Sequence, residues 1–221
     1  LVGSEMCIRD SLCSLSYERL GDADEKPVAE LSYDMKLWAS FNDWSGQDMQ
    51  RNGDDLIWWC EADVPAGGGE FGIKNAAMDG WYSSENNSKN IVLEEGHYMF
   101  FIELEVVDGK PVLKDEIIAE EPAYYVVGTC GNAGWAADAN AENTAYKMTE
   151  QDSKYVLTVT FTEDETVDWA ENKVAFKVAY GCGGKVANEN WFGAEGMDNV
   201  TVDPGTYTIT FDPATGAVTV E

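Results

Sequence analysis

Basic side chains are scarce in this 221-residue chain: 14 Lys and Arg stand against 41 Asp and Glu, a formal charge of −27. Phosphate binding needs clusters of Lys and Arg, so the balance argues against nucleic acid. It argues equally against anionic membrane surfaces. A neutral ligand such as a sugar meets no such repulsion, and the acidity serves solubility. There is one histidine, a poor inventory for acid–base or metal chemistry. No apolar run approaches the ~20 residues needed to span a bilayer, so no membrane insertion is expected. Five cysteines are present, with no CxxC or Cys/His spacing. No metal or other cofactor is expected. What the chain does have is eight Trp and ten Tyr, a rich inventory for stacking.

The first residues, "LVGSEMCIRDS", fit neither a signal peptide nor an amphipathic helix. Residues 1–10 back-translate to CTC GTG GGC TCG GAG ATG TGT ATA AGA GAC, with AG left to open codon 11. That string resembles a transposase adapter used in sequencing libraries. Residues 1–11 are read as an assembly artefact and kept out of the fold.

The remainder repeats itself. "KNIVLEEGHYMFFIELEVVDGKPVLK" at 89–114 matches "DNVTVDPGTYTITFDPATGAVTVE" at 198–221, aligning Asn90 with Asn199, Gly96 with Gly205 and Tyr98 with Tyr207. "EFGIKNAAMDGW" at 70–81 matches "AFKVAYGCGGKVANENW" at 175–191, and "WASFNDW" at 38–44 matches "VVGTCGNAGW" at 126–135. One module occurs twice, over 32–120 and 123–221, with "AEEPA" at 119–123 as linker. Residues 12–31 are either the last hairpin of a preceding, truncated module or a private strand of the first copy.

The period is two. Leu56, Trp58, Cys60, Ala62 and Val64 face one way, and Ile57, Trp59, Glu61 and Asp63 the other. Tyr98, Phe100, Ile102 and Leu104 face in, with His97 and Glu103 outside. Tyr155, Leu157, Val159 and Phe161, then Tyr207, Ile209 and Phe211, repeat this with threonines outside. Six or seven short strands per module with Gly turns predict an all-β fold, two tandem immunoglobulin-like antiparallel β-sandwiches. Pro111 marks an edge strand.

The loops carry the candidate function. Trp44, Trp81, Trp135 and Trp191 each sit among Asn, Asp, Gly and Ser, and Trp81 and Trp191 have aromatic neighbours, Tyr82 and Phe192. An indole offers an apolar face to a pyranose, while neighbouring amides bond its hydroxyls. For Trp44 and Trp135, plugging the sandwich end is an equal alternative. Trp81 and Trp191 favour ligand contact. Trp58 reads as core, and Trp59 as packing between modules. Trp38 and Trp169 take no assignment. His97 reads as a solvated strand residue, since Thr206 replaces it in the second copy. Carboxylates are too many for any two to be chosen as a glycosidase pair. "DANAENTAYK" at 138–147 lacks the Gly and Glu positions of a calcium hand. "NNS" and "NVT" match glycosylation sequons, relevant only in a eukaryotic secretory setting. Cys130 and Cys182 both read as lying at the loop-bearing end. They could form a disulfide worth about 4 kcal/mol or remain two separate buried thiols.

"YYVVGTCGNAGW" at 124–135, "AFKVA" at 175–179 with Trp191, and "DNVTVDPGTYTITFDPATGAVTV" at 198–220 resemble a known group. It is the starch-binding β-sandwich modules of bacterial pullulanases and amylases, related to those of the SusE/SusF surface proteins. The likeness covers nearly all of the second copy and, more loosely, the first. It implies loop tryptophans stacked on α-glucan with polar neighbours on the hydroxyls. By position these are Trp135 and Trp191 with Lys185 and Asn190, and Trp44 and Trp81 with Tyr82 and Asn86. The first copy departs in its shorter second loop and in "FNDW". The expectation is a non-catalytic α-glucan-binding fragment of a secreted or cell-surface bacterial protein, joined in its parent to further modules or a glycoside hydrolase. The alternative is a structural spacer in a cell-surface protein. An enzyme would need a clustered acid and base that the sequence does not show.

Overall fold

The computed structural model describes residues 34–53, 55–75, 80–84, 89–131, 134–137, 144–194 and 198–221. The adapter-like segment, the candidate remnant hairpin, Asn86 and residues 138–143 lie outside the described residues.

In chain order the first strands are β1 (Met35–Ala39), β2 (Gln47–Asp48), β3 (Gln50–Arg51), β4 (Ile57–Val64), β5 (Gly69–Asn75), β6 (Gly80–Tyr82) and β7 (Ile91–Leu93). Then come β8 (Gly96–Val107), β9 (Lys110–Leu113), β10 (Ile118–Glu120), β11 (Ala123–Gly128) and β12 (Thr149–Gln151). The last are β13 (Lys154–Phe161), β14 (Val174–Cys182), β15 (Lys185–Phe192), β16 (Val200–Val202), β17 (Gly205–Asp212) and β18 (Ala217–Val220). They form four antiparallel sheets. The first runs β2-β1-β5-β6 with β7 also on β5, and the second β10-β8-β4-β3 with β9 on β8. The third runs β11-β14-β15 with β16 on β14, and the fourth β12-β13-β17-β18.

Alternation decides what each face buries. Leu37, Ala39, Phe71 and Ile73 of the first sheet meet Trp58, Cys60, Phe100 and Ile102 of the second. Phe71 and Phe100 pack edge to face at 5.0 Å. Val126, Val174, Phe176 and Val178 of the third sheet meet Phe161, Ile209 and Phe211 of the fourth. The inward set read from period two is therefore the observed one. Pro111 lies on β9, which among the described residues pairs only with β8.

The two halves share register. Val64 pairs with Gly96 and Asp63 with His97; Phe161 pairs with Gly205 and Thr160 with Thr206. In the other sheets Ile73 pairs with Tyr82 and Lys74 with Trp81, as Val178 pairs with Phe192 and Ala179 with Trp191.

A third cluster joins the halves: Trp59, Met99 and Phe101 on the outer face of the second sheet pack against Cys182 and Ala187. Trp59 thus packs as its outward phase demands. Of the two alternatives for Cys130 and Cys182, two separate buried thiols is the arrangement found. Cys130 and Cys182 are free, buried thiols, the first in the core of the second pair and the second at the half-to-half boundary. The β14–β15 register shifts between Ala179 and Gly181, and Cys182 Sγ lies 3.6 Å from the Met99 carbonyl, to which it donates. Burial pushes both thiols up to about 12, so neither is a ready thiolate.

Candidate functional site

Trp81 and Trp191 were expected in loops, and both stand on strands. β6 and β15 extend through them because each pairs with the central strand of its sheet, opposite Lys74 and Ala179. By alternation the residue after each turns inward. Tyr82 is 6% exposed in the first core, and Phe192 packs 4.5 Å from Phe211. Tyr82 is therefore corrected from a ligand contact to a core residue.

Around Trp81 the outer face of the first sheet is built for a flat ring. A Cβ on Gly72 would lie 2.3 Å from Trp81 Cζ2, so the indole rests on bare backbone of β5. Trp38 pairs with Gly72 on β1. Its ring abuts Gly46, where a Cβ would lie 2.8 Å from Trp38 Cε2 and where φ is +78°. The Lys74 ammonium stands 5.7 Å from the Trp38 ring centroid, a cation–π distance. Trp44 follows at the tip of that loop. It is half-buried, with φ at +53°, an unusual region for a bulky residue. Its N–H donates to the Ala39 carbonyl at 2.9 Å.

In the second half Trp191 meets Trp135, with ring centroids 6.5 Å apart and planes at 48°. Trp135 is 39% exposed. Its loop is tied on both sides: Gly128 N–H donates to Gly134 O, and Gly184 N–H to Ala137 O, each at 2.9 Å. Ala137 is buried with Tyr125, Val127, Ala179 and Val186 beside Trp191. Upstream, the Glu165 carboxylate accepts from Gly131 N–H and Tyr146 O–H, each at 3.0 Å, and from Thr162 N–H at 2.6 Å. Burial opposes the charge, but these donors outweigh it and hold the carboxyl below its ordinary value.

No protein-family model matches the chain, and no curated protein matches it significantly. Among solved structures it is similar to the crystal structure of SusF from Bacteroides thetaiotaomicron, at 14% identity and a TM-score of 0.37. The match covers 85% of this chain and 47% of that one, so the chain spans about half the length of its neighbour.

Lys185 stands at the boundary between the halves. Its ammonium pairs with Glu103, which also holds Lys114. Burial of Glu103 is outweighed by the two lysines, and its carboxyl sits below the ordinary value. Asn190 is half-buried on β15, next to Trp191 in the chain. Trp169, unassigned by pattern, is 62% exposed in a short turn over Asp168–Ala170. His97 stands outside, as expected, but not alone: its Nδ1 is 2.8 Å from Asp63 and its Nε2 3.1 Å from Glu61. No group of three or more His, Cys, Asp or Glu able to hold a metal occurs among the described residues. No helix among them is long and apolar enough to cross a membrane. Sequence reading missed Glu165 and Trp38. The S/T-x-x-E spacing Thr162–Glu165 was the available signal for the first, and the outward phase of β1 for the second.

Proposed function

We propose that this chain is a non-catalytic carbohydrate-binding fragment, two tandem β-sandwich modules over 32–120 and 123–221, with α-glucan as ligand. The observation that carries the reading is the Trp135–Trp191 pair. Two indoles inclined at 48° form an angled surface. An α-1,4-linked glucan curves, so its successive sugar faces are inclined to one another, whereas cellulose presents flat, coplanar ones. Stacking on apolar sugar faces needs no charge on the ligand, consistent with a chain at −27. Trp81, laid on Gly72 beside Trp38, offers the first module's face, with Trp44 at its margin. The sequence resemblance points the same way and adds a secreted or cell-surface bacterial parent with further modules or a glycoside hydrolase.

A structural spacer is the second reading, favoured by the buried boundary around Trp59. Retention on insoluble starch, with cellulose and xylan as controls, separates them. The expected result is retention on starch alone, lost in a Trp81→Ala, Trp191→Ala double variant that keeps its circular dichroism. Retention by a folded double variant would show the sites misplaced, and no retention by the wild type would leave the spacer.

A further inference from the structure

Asn52, directly after β3, is only 7% exposed, and it reaches into the other half of the molecule. Its Nδ2 donates to the Val186 carbonyl at 3.2 Å, and its Oδ1 accepts from Asn188 N–H at 2.7 Å. Those two backbone groups flank Ala187 on β15, which ends its sheet's strand order. A neighbouring parallel strand would meet such a pair with the N–H and the C=O on either side of a single residue, one donor and one acceptor. The primary amide of Asn52 supplies the same donor and acceptor and occupies that stretch of β15 as a partner strand would. Around it lie the apolar contacts of Trp59, Met99 and Phe101 with Cys182 and Ala187, and the ion pair of Glu103 with Lys185. Only Glu121 and Pro122 separate β10 from β11, and proline fixes its own φ.

We propose that Asn52 is a positioning residue for polysaccharide binding: its amide locks the two sheet pairs into one rigid unit. The Trp81 face and the Trp135–Trp191 pair then meet a polymer in a fixed relation. The lock stands on the boundary geometry, while its use rests on the glycan reading above. Sites already aligned lose less freedom when both engage one granule, and the second contact becomes intramolecular.

The experiment is 15N relaxation of the full chain and of Asn52→Ala and Asn52→Asp, with granular-starch retention and maltotriose affinity measured on the same samples. The expected wild type tumbles with one rotational correlation time. Asn52→Ala is expected to show two shorter ones and to lose retention roughly tenfold or more, with maltotriose affinity unchanged. Asn52→Asp keeps the acceptor and loses the donor, so it should fall between. Glu103→Gln, which weakens the ion pair across the same boundary, loosens it independently should Asn52→Ala fail to fold. Two correlation times in the wild type, or one in Asn52→Ala, would overturn the lock. Unchanged retention in a variant tumbling as two bodies would overturn the positioning role. A lock that behaves as expected in a protein that never binds starch would support the rigidity and sink the glycan reading.

Discussion

The outer faces of β4–β8 and of β13–β17 occupy the same place in the two halves' registers and carry opposite chemistry. Through the shared register, Trp59, Met99 and Phe101 stand where the second half has Val156, Thr208 and Thr210. The first three are buried at the boundary between halves. The second half instead shows a hydroxyl ladder, with Thr158 and Thr208 oxygens 3.3 Å apart and Thr160 and Thr206 oxygens 2.8 Å apart. Both sets favour strands. Their difference follows from what covers them, not from the strand they build. Nearer the end of the same faces, Asp63–His97 is an ion pair where Thr160–Thr206 is a hydroxyl pair.

Grafting the second half's residues onto the first is the severest test of that comparison. Trp59→Val, Met99→Thr and Phe101→Thr together should cost about 6 kcal/mol or more, since buried large-to-small changes cost roughly 2–5 kcal/mol each. Urea denaturation should resolve two transitions in place of one. An unshifted midpoint would mean the apolar face is not what joins the halves.

The two tryptophan faces can be contrasted next. Gly72→Val places a side chain where Trp81 lies and should cost about 1–3 kcal/mol by overpacking. It should also weaken the glycan contact proposed for the first half while leaving the Trp135–Trp191 pair intact. Lys177→Gly, at the matching register position, should leave Trp191 in place. Tryptophan fluorescence titrated with maltooligosaccharide reads both.

A pH test addresses the ion pair that the second half lacks. The Asp63 hydrogen bond, opposed by partial burial and aided by Glu61, holds the His97 pKa above 6.5. A raised folded-state pKa stabilises fully below the unfolded value, and that gain fades as pH rises through the folded one. His97 is half exposed, so the gain should be under about 1 kcal/mol. His97→Thr, the second half's residue, should lower stability at pH 5.5 and approach wild type by pH 9. A difference that stays constant across this range would remove the charge explanation.

Smallest is Thr208→Val on the solvent face, expected within about 0.5 kcal/mol by denaturation. A larger loss would mean the threonine ladder contributes stability of its own.

Much of this was legible in the chain. Period two assigned Trp58, Phe100, Phe161 and Ile209 inward because a strand's side chains alternate whatever surrounds it. The internal repeat aligned Trp81 with Trp191, and their registers agree. Loop and strand were confused at both tryptophans because Gly, Asn and Ser neighbours signal turns, while pairing with β5 and β14 decided otherwise. Tyr82 was misassigned with them: once Trp81 is on a strand, its neighbour must point the opposite way.

Sequence by itself determined the all-β class, the inward set and the pairing of the two aromatic positions, since these depend on local alternation and on self-similarity. Tertiary structure alone decided the rest. Asn52 meets Val186 across 134 residues, and Lys185 meets Glu103 across 82; no local pattern encodes either. Cys130 and Cys182 stay apart because β11 and β14 run antiparallel, with Gly128 opposite Phe176 and Ala123 opposite Gly181, so the two cysteines fall at opposite ends of that pair. The tilt between Trp135 and Trp191 arises where a loop tied at Gly134 and Ala137 comes to rest on an edge strand, and that angle belongs to the packing rather than to either residue.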